Sequence, residues 1–422
     1  MSLPSTLLVL RERGFRLLFL GRTVSFLGSA FAPVAIAFAV LQIGTASDLG
    51  LVLAAQMLPT VVFVLVGGVI ADRLPRHAVL VASNVVSGAA QAAFAALILS
   101  GHARLWELLA IQALRGVSTA FFFPAAQGIV PEVASAARLQ EANVLLRLSN
   151  NASAILGAAL AGGVVAAVGP GWALVVDAVS YLLAAVFLVG IDLPARPRKV
   201  APAFVRELLE GWGEFRARTW LWVVVVAFSL LNAAQAGSFN VLGPPIAKEH
   251  LGGPAVWGLI LAALSAGLIA GGLVALRIRP RHPLFVGCLC VAFQIPPLVL
   301  LAIPASAAAI AAAAFCEGVG IELFSVYWDT SLQRHVPGEA LSRVASYDAL
   351  GSWVLLPIAF AVVGPIASLV GTRATLLGAA GVVALAVLAM AATADIRRLE
   401  AGPVAAPTPE TDLPAARPGS IS

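Results

Sequence analysis

Apolar runs close to the length of a bilayer-crossing helix, about 20 residues, recur from position 15 to position 394. In hydrocarbon every backbone N–H and C=O must be satisfied within its own segment or in a closed barrel. Barrel strands alternate apolar and polar residues over about 10 positions, and these runs are longer and unbroken. Helices remain. Only 11% of the residues are charged, against roughly 25% in soluble domains, so a folded soluble core does not account for the runs.

Reading the runs with their Gly and Pro breakers places helices near 15–43, 49–71, 78–100, 105–130, 141–169 and 171–191. A second set follows near 220–247, 254–276, 283–303, 306–330, 343–369 and 372–394. The one long polar stretch inside the chain, IDLPARPRKVAPAFVRELLEGWGEFRARTW, divides them six and six. The expected organisation is a first bundle over 1–191, a linker over 192–219, a second bundle over 220–395 and a disordered Pro- and Ala-rich tail over 396–422. The start, with Arg11, Arg13 and Arg16 ahead of a span too long for an h-region, does not read as a cleavable signal peptide. Lys and Arg concentrate in cytoplasmic loops. With both termini inside, 19 of the 26 basic residues fall on the inner side and three on the outer. That asymmetry predicts two cytoplasmic termini, and scattered loop charges of this kind do not form a nucleic-acid face.

One short basic passage is written twice. GGVIADRLPRHAVL (67–80) and GGLVALRIRPRHPLF (271–285) both fall between the second and third helix of a six-helix half. The offset from Gly67 to Gly271 is 204 residues, and Leu276 stands where Asp72 stood. A second echo, IVPEVASAARLQEAN against HVPGEALSRVASYD, follows the fourth helix of each half. Duplicated halves with a site between them at mid-membrane are a common build of secondary transporters.

In these passages the chain resembles the major facilitator superfamily across essentially all twelve spans. Gly68, Asp72, Arg73 and Arg76 fit the superfamily's loop signature G-x-x-x-D-R-x-G-R-[RK], with Pro75 and His77 departing from it. FRLLFLGRTVSFLGS, VPEVASAARLQEAN and VDAVSY are similar to the macrolide-efflux and enterobactin-exporter branch of drug antiporters. The helix 5 antiporter signature is incomplete, since SAILGAALAGG puts Ala158 at its Pro. In helix 4, Gln112 stands where the family places an Arg, and Arg115 directly precedes Gly116. The resemblance implies an all-α membrane fold of two pseudo-symmetric six-helix bundles, with helices 1, 4, 7 and 10 around a central cavity.

Ionisable groups at the bilayer centre cost about 2.5 kcal/mol or more and are functional candidates by default. On helix 4, Gln112, Arg115 and Thr119 form one stripe. On helix 10, Glu317 and Glu322 lie five residues apart, about 140° around the axis, and face different ways. Glu322 shares a stripe with Gly318, Ser325 and Asp329, which makes it the first choice for a carboxylate that exchanges protons with substrate. The alternative is a static ion pair between Glu322 and Arg115. Arg22, Arg115 and Glu322 are expected on the pathway, with Glu317 as a further buried acid and Asn232 and Gln235 as a polar face of helix 7. Asp177 reads as a helix-to-helix hydrogen-bonding residue. Gly68, Asp72, Arg73 and Arg76 are expected to form an inner gate, with the arginines pairing to acids such as Glu132 and Asp72 facing the start of helix 11.

Cys288, Cys290 and Cys316 read as small buried residues, and no metal-ligand, nucleotide-binding or nucleophile motif is present. The expected function is secondary active export of a small hydrophobic or amphipathic compound by alternating access, driven by proton antiport and without a bound cofactor. The alternatives are an importer or facilitator of a small nutrient, and a transport-inactive sensor or scaffold with the same fold. Arg outnumbers Lys 24 to 2, which suggests a GC-rich bacterial source. The expected setting is a bacterial inner membrane, with the chain acting as a monomer on its substrate, protons and the lipid bilayer.

Overall fold

The computed structural model describes residues 5–192, 212–213, 215–303 and 305–400, leaving aside the side chains of 5–7, 65–73, 338–343 and 346. Most of the linker expected at 192–219 and of the tail expected at 396–422 lies outside the described residues; the first residues of that tail are described, and Ala394–Arg398 form a short helix with Ile396 buried. Among the described residues twelve helices are long and apolar enough to cross a membrane. They are α1 (Arg13–Ile43), α2 (Ala46–Val64, in a helix that continues to Arg73), α3 (Arg76–Ser100), α4 (Leu105–Gly128), α5 (Ala136–Val168) and α6 (Pro170–Val189). The second six are α7 (Thr219–Leu251), α8 (Pro254–Arg277), α9 (Pro283–Ala302), α10 (Ala307–His335), α11 (Tyr347–Val370) and α12 (Thr372–Ala392). The sequence boundaries hold to within a few residues. The largest differences are five residues: α5 begins at Ala136 rather than 141, and α10 runs to His335 because nothing between Asp329 and Val336 breaks it.

Several helices are interrupted where local chemistry requires it. The first span consists of Arg13–Ser29 and Ala32–Ile43, parted at Ala30 and Phe31 just before Pro33. In α9 a tighter turn over Val291–Gln294 precedes the Pro296–Pro297 pair, since a proline inside a helix removes one hydrogen bond and clashes with the turn before it. The α5–α6 and α11–α12 connections each turn on one residue, Gly169 and Gly371, both at φ 90°. That backbone is strained for residues with a Cβ. The two glycines are 202 positions apart, so the duplication is visible in the turns as well as in the loops.

Packing repeats with the same period. In the first half α2 packs on α4, α3 on α4 and α6, and α1 on α5 and α6. In the second, α8 packs on α10, α9 on α10 and α12, and α7 on α11 and α12. Glycines set the closest approaches: Gly116 of α4 lies against the Gln56 carbonyl of α2, and Gly318 of α10 lies against the Leu264 carbonyl of α8. The halves meet through α2 with α11 and α5 with α8. Each of these contacts is the image of the other under an exchange of halves, as a pseudo-two-fold requires.

The halves touch mainly at the face away from the termini. There Gly50 lies against the Phe360 carbonyl, Gly364 against Ser47, Gly162 against the Pro254 carbonyl and Gly258 against the Ala158 carbonyl. Lys248 Nζ, at the end of α7, donates 2.8 Å to the Leu41 carbonyl at the end of α1. One buried apolar cluster runs through both halves and includes Phe31, Phe38, Leu49, Phe239 and Trp257. A separate cluster, with Phe15, Leu80, Ile129 and Leu188, belongs to the first half alone and lies toward the termini. Two halves sealed at one end and cored separately at the other enclose a cleft that opens on the termini face. Of the cysteines, Cys288 is buried and Cys290 half-buried, but Cys316 is exposed, because a small, weakly hydrogen-bonding thiol gains or loses little on either side of a helix.

Candidate functional site

The polar residues buried in the first half form a chain across four helices. Arg115 of α4 is 4% exposed, and its Nη2 donates to the Tyr181 hydroxyl of α6 at 3.2 Å. The same atom lies 3.8 Å from Asp177 Oδ2, and Asp177 is fully buried. Ser29, the last helical residue before the α1 break, donates to the same Tyr181 hydroxyl at 2.9 Å. Asp177 and Tyr181 are four residues apart and share one face of α6. Arg115 Nε and Nη1 and both Asp177 oxygens are buried with no hydrogen-bond partner, so this pair is held by charge alone. One turn further along α4, Gln112 Nε2 donates to Gln56 Oε1 of α2 at 3.3 Å.

The second half buries a different acid. Glu317 of α10 is 1% exposed and accepts a hydrogen bond at Oε1 from Gln235 Nε2 of α7. Its Oε2 is buried without a partner. One turn away on α7, Asn232 Nδ2 donates 3.2 Å to the Ser352 carbonyl of α11. Glu322 is only half-buried, and Ser325 and Asp329 below it are exposed. Arg147 of α5, from the opposite half, acts electrostatically on both Glu322 and Asp329. These charges therefore face each other across the cleft at its termini end.

At the termini face, Arg76 Nη1 pairs with Glu132 Oε1 at 2.9 Å and donates to the Gly128 carbonyl. Arg22 Nη1 donates 3.3 Å to the Ala126 carbonyl, two residues before the end of α4.

A family model, Major Facilitator Superfamily, matches residues 18–352. The chain belongs to the major facilitator superfamily. It is a multi-pass membrane protein of that family. Macrolide efflux protein A of Streptococcus pyogenes is 22% identical over 265 residues, covering 62% of this chain and 65% of that protein, just under two thirds of its length. The MFS-type transporter YfiS of Bacillus subtilis is 28% identical over 179 residues, 42% of each chain. Among solved structures, a peptide transporter of the POT family superposes with a TM-score of 0.73 at 14% identity, covering 94% of this chain and 100% of that one. A bacterial homolog of the human lysosomal transporter Spinster, inward-facing, gives 0.71 at 14% identity over 94% and 98%. These structures share the fold.

Within the superfamily fold the predicted residues separate. Arg76 reaches Glu132 as expected, whereas Gly68, Asp72 and Arg73 lie at the end of the helix that contains α2 and their side chains fall outside the described residues. Arg115 does not meet Glu322. Its guanidinium turns to α6 inside its own half, because Asp177 supplies a buried counter-charge there, and Gln112 likewise turns to α2. Glu317 and Gln235, from different helices, come together, while Asn232 binds the backbone of α11. Glu322 instead stands at the cleft wall opposite Arg147. Tyr181 was not singled out in the sequence; its spacing from Asp177 was the available signal.

Proposed function

We propose that this transporter exports a small hydrophobic or amphipathic compound by alternating access coupled to protons. It works as a monomer in a bacterial inner membrane with both termini cytoplasmic, and needs no bound cofactor. The observation that carries this reading is the engagement of the buried polar groups with neighbouring helices: Arg115 with Tyr181 and Asp177, Glu317 with Gln235, Gln112 with Gln56. A sugar or nucleoside requires several free partners, since a site's unmet donors and acceptors each cost about 1–3 kcal/mol. Here each of these side chains spends a polar atom or its charge on a neighbouring helix, and the atoms without a partner, Arg115 Nε and Nη1, both Asp177 oxygens and Glu317 Oε2 among them, are buried rather than presented to a cargo. The macrolide efflux proteins among the relatives support the same substrate class and direction. The inner gate of the reading is the signature loop, in which Arg76 already pins α3 to the end of α4.

Expression in an efflux-deficient, drug-sensitive bacterial host tests the proposal against a panel of macrolides, siderophores and lipophilic cations. Raised resistance to at least one class is expected, abolished by a protonophore and by Asp72→Asn at normal membrane levels. Sensitivity unchanged across the whole panel counts against export of such compounds.

A further inference from the structure

The charge pair between α4 and α6 is built as a two-position device. Asp177 is fully buried, and among the described residues its counter-charge is Arg115, at 3.8 Å with no hydrogen bond between them. The guanidinium's one hydrogen bond goes to the Tyr181 hydroxyl, which also accepts from Ser29. Ser29 is where α1 stops being continuous: its two pieces end and begin at Ser29 and Ala32. The α1 backbone is tightly held on either side of that point. A Cβ on Gly28 would collide with Ser180 of α6, and one on Gly157 of α5 would collide with Ala30.

Resting on the proton-coupled reading above, we propose that Asp177 is the proton-binding residue of the first half. Arg115 and Tyr181 carry its charge state to the break in α1 at Ser29. When a proton binds an Asp177 oxygen the ion pair disappears, and Arg115 keeps the Tyr181 hydroxyl as its remaining partner. The guanidinium then moves toward whatever acceptor the cleft offers, and Tyr181 follows it or gives up Ser29. Release of the proton restores the pair. Because α1 is parted at Ser29, a small displacement there tilts its outer piece, which carries Leu41 and its bond from Lys248. A local charge change acts on a packed interface as a choice between two arrangements.

Other ionisable groups on the helices around Asp177 are engaged or distant. Arg22 of α1 is bound to the Ala126 carbonyl, Arg76 of α3 pairs with Glu132, and Arg147 of α5 faces Glu322. Arg13, Arg16, His77 and Glu141 lie in the first two turns of their helices at the termini face. On α4, Glu107 lies in the first turn at the opposite face.

The test needs no known substrate. Nitroxide labels at Asn143 of α5 and Arg279 of the α8–α9 loop, both exposed at the termini face of opposite halves, report the opening of the cleft. They are placed in the full chain with Cys288, Cys290 and Cys316 replaced by alanine and reconstituted in lipid nanodiscs. The distance distribution is then measured from mildly acidic to alkaline pH. The parent and His102→Gln, an exposed loop control, are expected to move between two distances with pH. Asp177→Asn is expected to hold one distance throughout, and Asp177→Glu to recover the response at a shifted midpoint. Tyr181→Phe keeps the charge pair but removes the link to Ser29, so its response shrinks in amplitude. If Asp177→Asn fails to assemble, Tyr181→Phe and Asp177→Glu decide. A normal pH response in Asp177→Asn, or parental behaviour of Tyr181→Phe, overturns the inference and leaves proton coupling standing. A parent whose distances ignore pH overturns both.

Discussion

Arg76 of α3 and Glu132, four residues beyond the end of α4, meet at 2.9 Å, and the same guanidinium donates to the carbonyl of Gly128, the last residue of α4. A cation on the final carbonyl of a helix interacts favourably with its negative end, so one side chain serves as ion-pair partner and helix cap. The side chains are 19% and 11% exposed, enough solvent to soften the pair without cancelling it.

Removing that side chain is therefore a stability change at the termini face. Arg76→Ala is expected to cost about 1.5–3 kcal/mol, the range for losing a hydrogen bond made by a charged group. Glu132→Ala costs less, because the Gly128 carbonyl keeps its donor. The double variant falls short of the sum by about 0.5 kcal/mol or more. Denaturant unfolding of the four proteins in detergent reads the cycle; strict additivity shows that the two residues act separately.

The two acids of α10 differ in what they can do. Glu317→Gln preserves a hydrogen-bonding partner for Gln235 but cannot ionise. It is expected to assemble normally, retain downhill exchange of a transported dye and lose about tenfold or more of pH-driven efflux. Glu322→Gln, at the half-exposed cleft wall, is expected to lose roughly threefold or less. Inverted membrane vesicles measured with and without a pH gradient separate the two, and an equal loss in both variants reverses the ranking.

Closure at the face away from the termini depends on backbone contact through glycine. A Cβ at Gly258 meets the Ala158 carbonyl and the Gly162 backbone, neither of which is a flexible side-chain tip. Gly258→Val is expected to leave the protein folded with the halves held apart at that end, lowering transport by about tenfold or more. Gly378→Val, in open space on α12, serves as the control. Normal transport by the Gly258 variant means that the seam opens and closes elsewhere.

Lys248 closes the same seam with one hydrogen bond. Lys248→Met removes the donor to Leu41 while keeping the length of the side chain. A net hydrogen bond is worth about 1 kcal/mol, so the closed population relative to the open one is expected to drop about fivefold. Distance measurements between labels at His102, in the α3–α4 loop, and Arg373, in the first turn of α12 at that face, check it. An unchanged distribution removes Lys248 from the closure.

Much of the architecture was legible without coordinates. Twelve spans follow from backbone hydrogen bonding in hydrocarbon, and the 204-residue offset between the two basic passages announces two matching halves. The candidate site was legible only as an inventory. Arg115, Asp177 and Glu317 were visible as charges that apolar helices do not carry without reason, but helical periodicity on one helix says nothing about the partner helix. Pairing Arg115 with Glu322 was as consistent with the residues as pairing it with Asp177.

What the sequence determined by itself, then, was what one segment in lipid dictates: length, helicity, the position of breaks at glycine and proline, and the existence of a repeat. Only the tertiary structure decided which charges meet, that Glu317 is sealed against Gln235 while Glu322 faces the cleft, and that Asp177 reaches α1 through Tyr181. The physical reason is range. Backbone satisfaction is local to a helix, whereas the neutralisation of a buried charge depends on how neighbouring helices rotate and how closely glycines let them approach.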